Sequence, residues 1–174
     1  DESGNERDQL FRVDLERPGV LIPLTEHNPP FFLRGGKVHP NGKWLVFGAN
    51  YDLATGKETE ATWMYRHDLE SGERMVLARP QKGAYTWPNL SEDGEHILYS
   101  RLDRHPAGRQ IWLVDIHGQN DREILNFGEH VKTFASWFPD SRRVVVLADT
   151  ETHRRVGVWS LDDENVRWLV DDPN

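Results

Sequence analysis

Cysteine is absent from all 174 residues. That excludes disulfide staples, thiolate metal sites and a cysteine nucleophile. Long apolar runs are also missing: none approaches the ~18 residues of a membrane span, so no membrane partner is expected. Basic charge is in short supply, with 21 Lys and Arg against 29 Asp and Glu and a formal net charge of −8. An acidic surface repels phosphate backbones, which argues against nucleic acid as a partner. Helical periodicity is lacking over any stretch of about ten residues or more. No basic start followed by an apolar core opens the chain. The polar run DESGNERDQL leads straight into a strand, and a cytoplasmic location is the resulting expectation. Aromatic residues are plentiful, with seven Trp, seven Phe and four Tyr. Disordered chains lack these, so a packed core is expected, and the length fits one domain of roughly 100–200 residues.

What dominates the sequence is repetition. A turn followed by an apolar strand occurs as His39-Pro40-Asn41-Gly42-Lys43-Trp44-Leu45-Val46-Phe47, as Ser91-Glu92-Asp93-Gly94-Glu95-His96-Ile97-Leu98-Tyr99, and as Phe138-Pro139-Asp140-Ser141-Arg142-Arg143-Val144-Val145-Val146. Pro presets φ, Asn or Asp bonds back to the backbone, and Gly accepts positive φ. The Gly42–Gly94 and Gly94–Ser141 spacings are 52 and 47. A second element runs alongside: Val13-Asp14-Leu15, His67-Asp68-Leu69, Val114-Asp115-Ile116 and Trp159-Ser160-Leu161, at intervals of 54, 47 and 45. Each ends a predicted strand (Leu10–Leu15, Thr62–Leu69, Gln110–Ile116, Val156–Leu161) and is followed by a polar turn. A further strand then closes on Leu24, Leu77, Leu125 or Leu169, at distances of 10, 9, 10 and 9 from the Asp or Ser.

Four short strands per unit of ~40–50 residues is the pattern of a β-propeller blade. The predicted fold is all-β: a partial β-propeller of about three and a half four-stranded antiparallel blades within a single segment, 1–174. Residues 1–26 hold the outer half of one blade; 31–79, 84–128 and 131–170 are full blades. Asn28-Pro29-Pro30 and Pro80-Gln81-Lys82-Gly83 link them. The hairpin around Tyr51–Glu58 is expected to be longer than its counterparts. A closed ring has roughly 4–8 blades, so this segment is expected either to be a piece of a larger propeller or to self-associate through its open blade edges.

The chemistry-bearing residues form no catalytic pattern. No serine has the Gly-x-Ser-x-Gly frame that exposes a nucleophile on a strained turn, and no His-Gly-Gly run offers an oxyanion hole. The eight histidines include no His-x-x-x-His and no Glu-flanked pair. Asp52, Asp93 and Asp140 do not assemble a calcium loop. Gly35-Gly36 lacks nucleotide-binding frames and reads as a tight strand entry. No catalytic, metal or cofactor-binding residue is therefore assigned, and no cofactor is expected. Trp44, Trp63, Trp112, Trp159 and Trp168 fall in strands at repeat positions and read as packing between blades. His39 and His67, also at repeat positions, read as structural. Asn89-Leu90-Ser91 is a formal glycosylation sequon overlapping a turn. Polar and aromatic residues assigned to inner strands, Lys37, Thr86, Trp87, Lys132, Thr133 and Trp137, are placed to line an axial channel.

The His39–Val46 block, the stretch Tyr65-Arg66-His67-Asp68-Leu69-Glu70-Ser71-Gly72-Glu73-Arg74, and His105–Ile116 resemble TolB-type propeller repeats. More narrowly, they resemble the N-terminal propeller of bacterial prolyl oligopeptidase family enzymes, the acylaminoacyl and dipeptidyl peptidase group. That resemblance implies a propeller that caps a C-terminal α/β-hydrolase domain and filters substrates by size. The family's catalytic residues belong to that other domain, so none carries over. Its motif for gripping a substrate amino terminus is not recognisable here.

Three readings stand open from the sequence. One is a non-catalytic gate of a serine peptidase, with the hydrolase domain of the parent chain or a peptide substrate as partner. The second is a TolB-like protein-interaction module. The third is a propeller-fold polysaccharide lyase, which needs His, Arg or metal ligands clustered near the axis.

Overall fold

The computed structural model describes residues 7–25, 31–83 and 86–169. The expected linker 28–30, the ends of the expected half blade (1–6 and 26), residues 84–85 and residue 170 lie outside that set. The described residues form fourteen strands in one two-stranded and three four-stranded antiparallel sheets, with no helix. This is the partial propeller the repeats predict.

The half blade pairs β1 (Phe11–Asp14) with β2 (Arg17–Pro23). The first blade is β3 (Leu33–Val38), β4 (Trp44–Asp52), β5 (Lys57–Asp68) and β6 (Arg74–Ala78). The second is β7 (Asn89–Leu90), β8 (His96–Arg101), β9 (Gln110–Asp115) and β10 (Arg122–Leu125). The third is β11 (Lys132–Trp137), β12 (Arg143–Asp149), β13 (Arg154–Ser160) and β14 (Val166–Trp168). Within each blade the strands follow chain order, so every connection is a hairpin.

The turns form for the reasons their residues dictate. Gly42, Gly94 and Ser141 sit at φ 70°, 82° and 57° in equivalent places. Their amides donate to the carbonyls of His39, Ser91 and Phe138 at 2.8, 3.0 and 3.1 Å. In the second repeat element the Asp carboxylate caps its own turn. Asp14 accepts from the Glu16 amide (3.0 Å), Asp68 from Glu70 and Ser71 (3.0 and 2.8 Å), and Asp115 from His117 and Gln119 (2.9 and 2.8 Å). Ser160, the residue that replaces Asp, does the same for Asp162 at 3.2 Å. An oxygen acceptor on a short side chain is what the position requires.

Strand side chains alternate faces, and in the middle blades both faces are buried. In β4, Leu45 and Phe47 face the half blade, packing with Phe31, Leu33 and Tyr65, with Leu10 and Leu24 against them. Val46, one residue along, faces the second blade and meets Ile97, Tyr99 and Val114. In β8 the alternation repeats: Leu98 turns forward to Val144, Val146 and Trp159 of the third blade. Each fully buried Val, Leu or Ile contributes about 1.5–3 kcal/mol, so these inter-blade layers supply most of the stabilisation. The repeat turns also dock on one another. His39 leaves no room for a side chain at Gly94 of the next blade, and Ser141 Oγ accepts from the Asp93 amide at 2.9 Å.

One expectation is sharpened and another corrected. The Tyr51–Glu58 hairpin owes its length to strand rather than loop. Tyr51 pairs with Glu58 and Asp52 with Lys57, and only residues 53–56 turn. The longer connection between middle strands is 102–109, in the second blade. In addition, Thr86 and Trp87 do not lie on a strand. Pro88 has no N–H to give a ladder, so β7 shrinks to Asn89–Leu90. The Thr86 hydroxyl takes over by accepting from the Ser100 amide of β8 at 2.8 Å.

The strand tryptophans divide. Trp159 is buried between blades two and three. Trp44, Trp63, Trp112 and Trp168 are half-buried, each under an arginine (Arg66, Arg79, Arg101 and Arg155) at 4.3, 5.3, 3.8 and 4.3 Å from ring centre. These cation–π caps shield the rings from water.

Candidate functional site: an axial cleft between inner strands

The first strand of each blade lies at one edge of its sheet, and these edge segments meet their neighbours in the next blade. A Cβ at Gly35 would fall 3.2 Å from Pro88 Cδ and 3.3 Å from Trp87 Cε3, so β3 approaches 87–88 closely. Asn89 Nδ2 donates to Ser136 Oγ (3.2 Å), and Trp137 Nε1 donates to the Asn89 carbonyl (3.0 Å), which ties 86–90 to β11. β3, 86–90 and β11 thus stand side by side, like staves about a common axis.

Between them opens a cleft of about 400 Å³. Lys37 of β3, Trp87, Ser100 of β8, Thr133 and Phe134 of β11, and Arg109 from the 102–109 loop give it its character. The floor is apolar, from Leu98 and Ile111. Arg109 reaches this place because its loop hooks onto β11. Its amide donates to the Val131 carbonyl at 3.0 Å, and its carbonyl accepts from the Thr133 amide at 3.4 Å, forming a parallel bridge with Lys132. Gly108 makes the approach feasible, since a Cβ there would lie 2.8 Å from the carbonyl oxygens of both Gly128 and Glu129. The Arg109 guanidinium rests over the Phe134 ring, 4.5 Å from its centre.

Three of the six residues picked from the sequence, Lys37, Trp87 and Thr133, line the cleft. The other three sit beside it. Thr86 is buried against Ser100, Lys132 is exposed next to Thr133, and Trp137 spends its N–H on Asn89. Arg109 and Ser100 were not anticipated. Arg109 lies in a hairpin loop, and only its hook onto β11 brings it to the axis. The sequon residue Asn89 has its side-chain amide turned toward β11, bonded as above.

Behind the cleft wall sits a polar network built on the buried Arg101 and Tyr99. Arg101 pairs with Asp121 and, at 3.5 Å, with Asp103; its guanidinium also binds the Tyr99 hydroxyl, which donates to Asp121. Burial holds the Tyr99 hydroxyl well above the usual tyrosine range, with the Asp121 carboxylate adding to the rise. Tyr99 thus donates to Asp121 as a neutral hydroxyl. Among the described residues no group of three or more His, Asp or Glu side chains is placed to hold a metal ion. The cleft offers cations, hydroxyls and aromatic walls, which are elements of recognition.

No family model matches the chain, and no curated protein matches it. Solved structures do. TolB from Acinetobacter baumannii is 19% identical with a TM-score of 0.69; the match covers 98% of this chain and 39% of that one. A prolyl endopeptidase is 16% identical, with a TM-score of 0.72 over 97% of this chain and 27% of that one. A puromycin hydrolase variant complexed with PGG is 17% identical, with a TM-score of 0.71 over 97% of this chain and 28% of that one. The chain thus spans well under half the length of these proteins. Together with the repeats and the sheet order, these likenesses establish the fold as a TolB-like β-propeller segment, resembling the propellers of prolyl endopeptidases.

Proposed function

We propose that this chain is a non-catalytic propeller domain that, in its parent protein, caps a serine peptidase α/β-hydrolase domain and gates the entry of peptide substrate. The observation that carries this reading is the axial cleft. It lies at the inner strands, where a peptide passing along the axis would meet it, and it presents recognition groups without a nucleophile–base pair. The likeness to the prolyl endopeptidase and puromycin hydrolase structures supports the same choice. The partners proposed are the hydrolase domain of the parent chain and the peptide itself.

The likeness to TolB favours a second reading, a protein-interaction module that uses the same face. Hydrolysis of chromogenic aminoacyl and acylaminoacyl substrates separates the two. It is measured on this chain and on the gene product extended beyond Asn174. Turnover by the extended protein alone is the expected result. Turnover by the 174-residue chain would overturn the non-catalytic assignment, and silence from both would favour the interaction module.

A further inference from the structure

The chain is acidic overall, yet its axial face is not. Residues 31–38, 86–90 and 131–137 contain Arg34, Lys37 and Lys132 and no Asp or Glu. The cleft lining contains Lys37 and Arg109 and no carboxylate. Elsewhere arginines meet carboxylates: Arg17 with Asp14, Arg101 with Asp121, Arg122 with Glu164, Arg142 with Asp162, Arg154 with Asp149. Among the described residues neither Lys37 nor Arg109 has such a partner. A second observation points the same way. Thr133 is 0% exposed, lines the cleft, and its Oγ1 has no hydrogen-bond partner. Buried hydroxyls are normally satisfied, so an unpaired one in the wall of a cavity calls for a partner.

We propose that this cleft binds a carboxylate group of a peptide that carries an apolar side chain next to it. Arg109 is the main contact. Its backbone is pinned on β11 and one face of its guanidinium is stacked on Phe134, which leaves the planar N–H fork to grip a carboxylate in bidentate fashion. Lys37 adds positive charge across the cleft from β3, and Thr133 Oγ1 donates from the wall. Trp87, 64% exposed, and Phe134 present aromatic surface to the neighbouring side chain. Low-dielectric walls of one charge sign focus the field, so the cleft attracts anions despite the acidic surface around it. The choice of a peptide, rather than another carboxylate carrier, rests on the peptide-gating reading above.

The test is a titration of the 174-residue chain, followed by tryptophan fluorescence and calorimetry. The probes are an N-acetylated hexapeptide of alternating Phe and Asp and its counterpart with Asn for Asp, each made with a free and an amidated C-terminus. The Asp peptide is expected to bind roughly tenfold tighter or more, the advantage shrinking as salt rises. Arg109→Gln and Lys37→Gln should each erase most of that advantage. Should Arg109→Gln fail to fold, the exposed Lys37→Gln carries the test alone. Tight binding of the free-terminus Asn peptide would identify the C-terminal carboxylate as the group recognised; its failure beside a binding Asp peptide would identify the side chain. Equal binding of all four peptides, or an Asp preference that survives both substitutions, overturns this inference and leaves the gating reading intact. No binding by any of them removes both.

Discussion

Asp140 shows how a single side chain closes a turn. Its carboxylate accepts from the amides of Arg142 and Arg143, both at 3.0 Å, and from Arg143 Nε at 2.5 Å. The Arg142 amide, with the side chain and amide of Arg143 behind it, holds this carboxyl down at about 2. Asp68 is lowered in the same way by the amides of Ser71 and Glu70. An unfolded Asp titrates near 3.9, so on acidification the unfolded state takes up protons first. The stability these groups contribute is present above about pH 4 and is lost as pH falls toward 2. Asp140→Asn retains an acceptor for the turn but abolishes the titration. Its urea midpoint should drop only slightly at pH 7 and decline less steeply than that of the unsubstituted chain between pH 4 and 2. Parallel declines across that window would show that Asp140 plays no part in the acid sensitivity. The identities of these turn acids were legible in the repeats, because an Asx turn is a local matter. The arginines over Trp44, Trp63, Trp112 and Trp168 were not legible, since Arg66 and Arg79 reach their rings only through sheet pairing.

Among the elements, the strands after each turn announced themselves best. Leu45-Val46-Phe47 is apolar on both faces because each face meets a different layer, a pattern readable without coordinates. The inner segment of the second blade was harder to read, since Pro88 cuts the ladder there while a threonine hydroxyl preserves the spacing. The 102–109 loop was harder still. It carries no repeat signature, and its role depends on Gly108 lying against carbonyls 20 residues and more along the chain. Gly108→Ala puts a methyl group against backbone atoms that cannot swing aside. We expect a loss of about 1–3 kcal/mol in equilibrium urea unfolding. Faster hydrogen exchange at the Thr133 amide, which bonds to the Arg109 carbonyl, should accompany it. Unchanged stability and exchange would mean that the loop does not depend on this contact.

For the molecule as a whole, the two ends of the blade stack carry the clearest consequence. On the half blade, Phe11, Val13 and Leu21 share a face turned away from the first blade and are 43–60% exposed. On the third blade, Phe134, Val145 and Val156 are exposed on the face opposite Trp159. Apolar sheet faces of this kind invite association. Light scattering at high concentration should therefore show assemblies larger than a monomer. The double substitution Val145→Lys with Val156→Lys should shift them toward the monomer, because it places two charges on the exposed face without touching the inner layers. A clean monomer from the unsubstituted chain at the same concentration would count against self-association through these faces.

The sequence by itself determined the blade count, the turn positions and the strands that flank them. All of these follow from local conformational preference and period-two alternation, which repeat every 45–54 residues along the chain. It also marked Lys37 and Thr133, since inner-strand residues can be counted from the turns, whereas Trp87, picked the same way, lines the cleft from outside any strand. Only the tertiary structure decided that a loop arginine completes the cleft, that Thr86 is spent on a bond within its own blade and Trp137 on one to the blade before it, and that the cleft lining holds two cations and no acid. Those outcomes depend on which blade edges meet. That is set by packing between units distant along the chain, and no local preference encodes it.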